Sequence, residues 1–205
     1  LAGPTWTRNH HKLASISSVV SAAGRIFYVV DEATAADTAV PGHWFVAGRD
    51  AQSGVLLWKR PLPDWAWHLK GFRSGPVQLP RTLVACGDRV YVPLGISAPV
   101  SALDAATGRL VETYQATEGA EEVIFVDGVL LVVTGSPTSE QAAIDPARRG
   151  EARYPNQKTI VAIRAQTGET LWKWSVSGGV LWRSVGLAAA AARVFFAAGQ
   201  RVTCL

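Results

Sequence analysis

The sequence contains no methionine and only two cysteines, Cys86 and Cys204, among its 205 residues. Because even an initiator methionine is missing, residue 1 is not interpreted as a translation start. The lack of a visible signal peptide therefore indicates no compartment. Nothing in the sequence brings the two cysteines together, so we expect two buried free thiols and no disulfide.

Clusters of positive charge and long apolar runs are also missing. The 20 Lys and Arg residues exceed the 16 Asp and Glu residues by only four, and no basic run resembles a nucleic-acid-binding surface. The longest apolar stretch, 180–199, is interrupted by Arg183 and Arg193, whereas a membrane span needs roughly 18 uninterrupted apolar residues. We therefore expect neither a nucleic-acid partner nor a membrane span.

What the sequence does contain is one short phrase in three copies. Each copy is a turn that ends in Ser-Gly or Thr-Gly and leads into Leu-Trp or Leu-Val. The turn glycines Gly54, Gly108 and Gly168 lie 54 and then 60 residues apart, which is typical of a repeat architecture. Each copy stands between two apolar alternations and so predicts a tight connection between two strands of one sheet.

The alternating segments recur in groups of four. The predicted strands are 14–22, 25–30, 44–50 and 55–62, then 81–86, 89–94, 100–104 and 109–115, then 121–126, 129–133, 158–164 and 169–176, and finally 184–189, 193–197 and 201–205. Short antiparallel strands with fixed turn chemistry predict an all-β fold, a β-propeller of four-stranded blades. The weakest strand assignment is 187–192, because five consecutive alanines favour helix by propensity.

About four blades are expected within a single domain, residues 1–205. Their bounds are roughly 14–62, 81–117, 119–176 and 184–205, with 1–13 as the tail of a preceding element. The last blade lacks its fourth strand. An unpaired sheet edge is prone to associate, so we also expect association of the chain.

The recurring turn residues have physical roles. Glycine adopts positive φ without a steric clash, and the carboxylates of Asp50 and Asp104 are able to accept hydrogen bonds from the next backbone N–H groups. Arg164 stands at the same position in the third copy and cannot act in this way. The third turn is therefore expected to be held differently.

A tryptophan follows two of the turn glycines by four residues. Trp58 and Trp172 are interpreted as core residues that fill the space between neighbouring sheets. Glu112 occupies this position in the second copy, which predicts a weaker or rearranged contact there. The structural repeat residues are thus Asp50, Gly54, Trp58, Asp104, Gly108, Gly168 and Trp172.

The phrase Asp-Ala-x-Thr-Gly-x-x-Leu-Trp, preceded by segments such as 87–92 or 192–196, resembles the repeat of pyrroloquinoline-quinone-like (PQQ-like, quinoprotein-type) β-propellers. That superfamily includes quinoprotein alcohol dehydrogenases and an outer-membrane-assembly lipoprotein. Segments 24–32, 49–61 and 118–122 also look like large multidomain bacterial proteins with this repeat. The resemblance implies part of a seven- or eight-bladed ring and an extracytoplasmic, or periplasmic, location.

Three long connections are expected to project from one face of the propeller, which we call the loop face: 31–43, 63–80 and 135–157. Long loops on a rigid scaffold commonly carry binding sites. The candidate binding residues on the loop face are His43, Trp65, Trp67, His68 and Arg73. For the two tryptophans, packing against the propeller edge is the favoured interpretation. For His68 and Arg73, packing and partner contact both stay open.

No catalytic, cofactor-binding or metal-ligating set of residues is found, because the histidines have no Cys or carboxylate at ligand spacing. The expected function is a non-catalytic module that binds an unknown protein or small molecule through the loop face, or acts as a scaffold. The alternative, implied by the resemblance, is a fragment of a PQQ- and calcium-dependent alcohol-type dehydrogenase. The vicinal cysteine pair and the Asp, Glu and Asn calcium ligands of that family have no match here.

Overall fold

The computed structural model describes residues 15–32, 43–62, 81–95, 98–135, 158–175, 186–198 and 201–205. Within these ranges, fifteen β-strands form four antiparallel sheets. Sheet 1 contains β1 (Ser15–Ala22), β2 (Arg25–Asp31), β3 (Trp44–Asp50) and β4 (Leu56–Pro61). Sheet 2 contains β5 (Val84–Cys86), β6 (Arg89–Pro93), β7 (Val100–Asp104) and β8 (Leu110–Tyr114). Sheet 3 contains β9 (Ala120–Val126), β10 (Val129–Thr134), β11 (Thr159–Arg164) and β12 (Thr170–Ser175), and sheet 4 contains β13 (Leu187–Ala190), β14 (Arg193–Ala198) and β15 (Arg201–Cys204).

Each sheet is a meander in which every strand pairs with the strand before it and the strand after it in the sequence. The first strands of consecutive sheets, β1, β5, β9 and β13, are neighbours, so the sheets fan around a common axis. This arrangement is that of consecutive β-propeller blades, and the predicted all-β fold is confirmed. Within the described residues, the fourth blade has three strands, as predicted.

The three complete sheets share a register shift at the same place, one pair before the turn that joins the third strand to the fourth. The shifts lie between Gly48 and Arg49, between Ala102 and Leu103, and between Ala162 and Ile163. Such bulges bend the strand and raise its twist, which suits a strand that must turn sharply toward the outer edge of a blade. The sequence repeat is therefore also a backbone repeat.

The turn chemistry agrees with the sequence prediction. The Oδ1 atom of Asp50 accepts the Ser53 N–H at 2.7 Å, and that of Asp104 accepts the Thr107 N–H at 2.9 Å. The three turn glycines have φ of 70°, 68° and 72°. In the third turn the Arg164 side chain instead reaches Glu169, at 3.2 Å from Nε to Oε2. The third turn is held differently, as expected.

The apolar core lies in three layers between consecutive sheets. The largest buried side chains are Trp44, Phe27 and Leu62 between sheets 1 and 2, Leu103 in the same layer, Leu130 and Ile163 between sheets 2 and 3, and Ile160 and Phe196 between sheets 3 and 4. Burial in separate layers ties each sheet to its two neighbours.

Two burial predictions are wrong. Cys86 and Cys204 are free thiols, but both are exposed, because Cys86 ends a strand at a turn and Cys204 lies on the last strand of sheet 4. Trp172 is 37% exposed, whereas Trp58 is only 8% exposed. Trp58 is covered by a turn of the next sheet, and within the described residues sheet 4 offers no such turn to Trp172. In the described parts of the chain, no helix has the length and apolar character to cross a membrane.

Candidate ligand cleft between sheets 2 and 3

Trp58 shows how the space between two sheets is filled. Its indole stacks on Phe27 with 5.9 Å between ring centroids, and its Nε1–H donates to the Ala105 carbonyl of sheet 2 at 2.9 Å. A Cβ atom added to Gly48 or Gly108 would lie within 2.6 Å of the ring. The two glycines thus leave room for a flat aromatic group, and the turn of the next sheet supplies its hydrogen-bond acceptor.

At the corresponding place between sheets 2 and 3 the chain has an exposed carboxylate. Glu112 pairs with Ala102 across the sheet, as Trp58 pairs with Gly48. The hydrogen bond to the next sheet is made instead by Tyr114, whose hydroxyl donates to the Ala165 carbonyl at 2.6 Å. Burial raises the pKa of Tyr114 to about 12, so the hydroxyl keeps its donor proton at ordinary pH. The contact is rearranged, as the sequence predicted.

A cavity of about 630 Å³ lies beside Glu112 between sheets 2 and 3, and we call it the cleft. Its lining comprises residues 86–89, Tyr91, Ala102, Val111, Glu112, Tyr114, Phe125, 127–128 and 164–166. The cleft opens at the turn rim, the end of the sheets that carries the tight turns and lies opposite the loop face. Small-molecule sites commonly have volumes of roughly 300–1,000 Å³.

One wall of the cleft corresponds to a wall of the Trp58 site. Tyr91 stands in β6 where Phe27 stands in β2, because Tyr91 pairs with Ala102 as Phe27 pairs with Gly48. The ring of Tyr91 stacks on Phe125 of sheet 3, with 5.6 Å between centroids and 16° between planes. The cleft therefore has an aromatic wall from each of the two sheets.

The charged groups at the mouth fall into two classes. Asp88 pairs with Arg89 at 2.7 Å, and Arg164 pairs with Glu169. Glu112 and Asp127 form no ion pair with any described residue. Among the described residues, no Lys or Arg neutralises these two carboxylates at the mouth. Their charge favours a cationic ligand.

A second polar cluster lies at the loop-face end of sheet 3. Lys158 and Glu121 form a buried ion pair beside Gly135, and Arg81 reaches buried Glu122 at 2.7 Å. Burial lowers the pKa of Lys158 and raises the pKa of Glu122, each against the effect of its partner. The Gly186 N–H also points at Glu122, at 3.4 Å. The cluster joins the starts of sheets 2, 3 and 4 and has a structural role.

The candidate residues of the loop face were predicted from sequence, and four of them, Trp65, Trp67, His68 and Arg73, lie outside the described residues. His43 is exposed directly before β3, and its backbone N–H donates to Asp31 Oδ1 at 2.8 Å. Across the described ranges, no three His, Cys, Asp or Glu side chains are grouped as metal ligands would be. Sequence reasoning missed the cleft as a site, although Glu112 was its signal.

No protein-family model matches the sequence, and no curated protein matches it. Among solved structures, the fold is similar to the acylaminoacyl peptidase of Pyrococcus horikoshii, with a TM-score of 0.52 for both the orthorhombic and the uncomplexed forms. The identity is 10% over 100% of this chain, and the chain spans only about a third (34% and 33%) of the peptidase chains. At this identity the similarity shows the fold alone.

A europium-containing methanol dehydrogenase also matches, at 12% identity over 78% of this chain and 26% of the enzyme chain. Its TM-score is 0.44, and at that value the similarity supports nothing further. The chain is therefore part of a β-propeller by its own geometry and by its likeness to the peptidase.

Proposed function

We propose that this chain is a non-catalytic β-propeller module that binds a small organic molecule at the turn rim. The single observation that carries the proposal is the cleft, where the repeat tryptophan is replaced by Glu112 and the stacked rings of Tyr91 and Phe125 contribute to the lining. Its volume lies within the usual range of small-molecule sites, and its lining combines aromatic rings with charged groups at the mouth. Scaffolding or partner binding through the loop face is the second part of the proposal, since long connections favour it.

The finer assignment is part of the same proposal. We propose that the chain has PQQ-like repeats and forms part of a seven- or eight-bladed ring in a bacterial, extracytoplasmic protein. The resemblance of its repeat to PQQ-like propellers supports this. A quinone cofactor does not fit the cysteines present, because Cys86 and Cys204 lie in different sheets and cannot form a vicinal pair.

The test is a set of small probes titrated into the ¹⁵N-labelled chain: indole, benzylamine, benzoate, phenol and cyclohexylamine. We expect at least one probe to shift the amide signals of Asp88, Glu112 and Asp127, which surround the cleft mouth. The matched variant Ala102→Leu narrows the cleft and should remove the shifts. The proposal fails if no probe shifts these signals, and its non-catalytic part fails if added PQQ and calcium produce dye-linked alcohol oxidation.

A further inference from the structure

Two carboxylates at the mouth of the cleft carry charge that the described chain does not neutralise. The lining holds three carboxylates and two guanidinium groups. Asp88 is paired with Arg89, and Arg164 is paired with a carboxylate outside the lining. Glu112 of sheet 2 and Asp127 of sheet 3 are exposed and have no such partner among the described residues. Each sheet thus offers one negative charge, and together they match a ligand with two positive charges.

A buried hydroxyl in the same cleft also lacks a hydrogen-bond partner. Tyr91 lines the cleft and is only 4% exposed, yet its hydroxyl forms no hydrogen bond with the described residues. Burial raises the pKa of Tyr91, and Cys86 and Asp88 at the turn rim raise it further, so the hydroxyl keeps its proton and lies toward the mouth. A hydroxyl buried without a partner is costly, and a ligand with N–H groups supplies the missing hydrogen bond.

The aromatic side chains of the cleft leave no flat slot for a ring. Tyr91 and Phe125 stack on each other, with 5.6 Å between ring centroids, and the Tyr114 hydroxyl is bonded to a carbonyl of sheet 3. Ala102 stands where sheet 1 has Gly48, at which a Cβ atom would lie 2.6 Å from an indole ring. The cleft therefore favours a slender aliphatic chain that is recognised by its polar ends.

Building on the proposed function, we propose that the cleft binds an aliphatic diamine, a short chain with a protonated amino group at each end. One ammonium group would lie beside Glu112 and the other beside Asp127, so that the ligand bridges sheets 2 and 3. The Tyr91 hydroxyl would accept an N–H hydrogen bond from one of them. Recognition thus depends on two ion pairs and one hydrogen bond, and not on the shape of a ring.

The experiment compares four ligands that share a four-carbon chain: 1,4-diaminobutane, butylamine, 1,4-butanediol and succinate. Each is titrated into the ¹⁵N-labelled chain, and the amide signals of Glu112 and Asp127 report binding. We expect a dissociation constant of roughly 1–10 mM for 1,4-diaminobutane, as its small size allows. Butylamine should bind about two- to fivefold more weakly and 1,4-butanediol more weakly again, because each step removes one exposed ion pair. Succinate should not bind, since its carboxylates are repelled.

Three conservative variants test the three contacts. Glu112→Gln and Asp127→Asn should each weaken binding of 1,4-diaminobutane about two- to fivefold and remove its advantage over butylamine. Asparagine tolerates the positive φ of Asp127, 46°, so the turn is kept. Tyr91→Phe should weaken binding of both amines about two- to tenfold without lowering stability in urea, because the hydroxyl has no partner to lose. Glu118→Gln removes an exposed carboxylate outside the cleft and is the matched control, with no expected change.

The outcomes distinguish the diamine from the proposed function. Binding of 1,4-butanediol or succinate as tight as that of 1,4-diaminobutane overturns the diamine, and so does unchanged diamine binding in Glu112→Gln or in Asp127→Asn. Unchanged diamine binding in Tyr91→Phe overturns the assigned hydrogen bond. In each case, shifts at the cleft caused by phenol or benzoate would still support a small-molecule site. If no probe of either set shifts these amide signals, both proposals fail.

Discussion

At the scale of single residues, Trp58, four positions after its turn glycine, closes the joint between sheets 1 and 2. Replacing Trp58 by alanine leaves a void between sheets 1 and 2 and removes the donor to the Ala105 carbonyl. We expect a loss of about 3–5 kcal/mol in the free energy of unfolding, measured by urea denaturation. Trp172→Ala removes the same side chain from an exposed site and should cost about 1 kcal/mol. Equal losses in the two variants would contradict the assigned roles.

The turn carboxylates should make the protein sensitive to acid. The Thr107 hydroxyl lowers the pKa of Asp104 below its ordinary 3.8, and the Ser53 N–H lowers the pKa of Asp50 in the same way. A lowered folded-state pKa gives stability that is complete above the unfolded pKa and is lost as the pH falls through the folded one. We expect Asp104→Asn to lose less stability than the parent between about pH 5 and pH 3, in thermal melts.

The control for the acid prediction is Glu118→Gln, which removes an exposed carboxylate from a different turn. Its melting temperature should fall with pH in parallel with that of the parent. If the Asp104→Asn curve is parallel as well, the Asp104 hydrogen bonds do not contribute to the acid sensitivity.

Residue-level reasoning succeeded where the determining contacts are local. The turns at Asp50 and Asp104 depend on contacts within three residues, so the local sequence alone predicts them. The burial of Trp172 and Cys86 depends on what the neighbouring sheet or turn covers, and the sequence does not show this. The alanine run 188–192 is a strand and a turn, because pairing with β14 outweighs helix propensity.

At the scale of strands, the buried pair of Lys158 and Glu121 fixes the loop-face end of sheet 3. Lys158→Met leaves the Glu121 carboxylate buried without its cation, and we expect a loss of about 3–5 kcal/mol. The double variant Lys158→Met with Glu121→Leu should recover most of this loss, since no charge then stays buried. The free energies come from urea unfolding of the three proteins. Additive effects of the two substitutions would contradict direct pairing.

Most strand bounds were predictable, but the predicted strand 81–86 begins only at Val84, and the cleft was not predicted. The apolar runs and the turn residues that follow them give β3 and β7 to the residue, and both strands are largely buried on both faces. The cleft is lined by the residues of two separate exchanges, Glu112 for a tryptophan and Tyr114 as the new donor. Only Glu112 is visible in the sequence as a departure from the repeat. Whether a cavity lies beside it depends on how two sheets pack, which the sequence does not show.

At the scale of the whole molecule, the outer edge of sheet 4 is the surface most prone to self-association. Within the described residues, no strand pairs with the outer edge of β15, and Val202 on that strand is 73% exposed. We expect sedimentation velocity to show an apparent molecular mass that rises with protein concentration. Val202→Lys should reduce this association, since a charged edge disfavours strand pairing. Val55→Lys, at an exposed position in the turn before β4, is the control and should change nothing.

The acceptors of the Trp58 and Tyr114 hydrogen bonds are peptide carbonyls, atoms that every amino acid carries. Substitutions in the receiving turn cannot delete these carbonyls, although a side chain at Gly108 would collide with the Trp58 ring. The indole of Trp58 and the phenol of Tyr114 therefore make the same kind of hydrogen bond to the next sheet. Repeats that keep one donor side chain at each contact between sheets are therefore able to differ widely in sequence and still pack together.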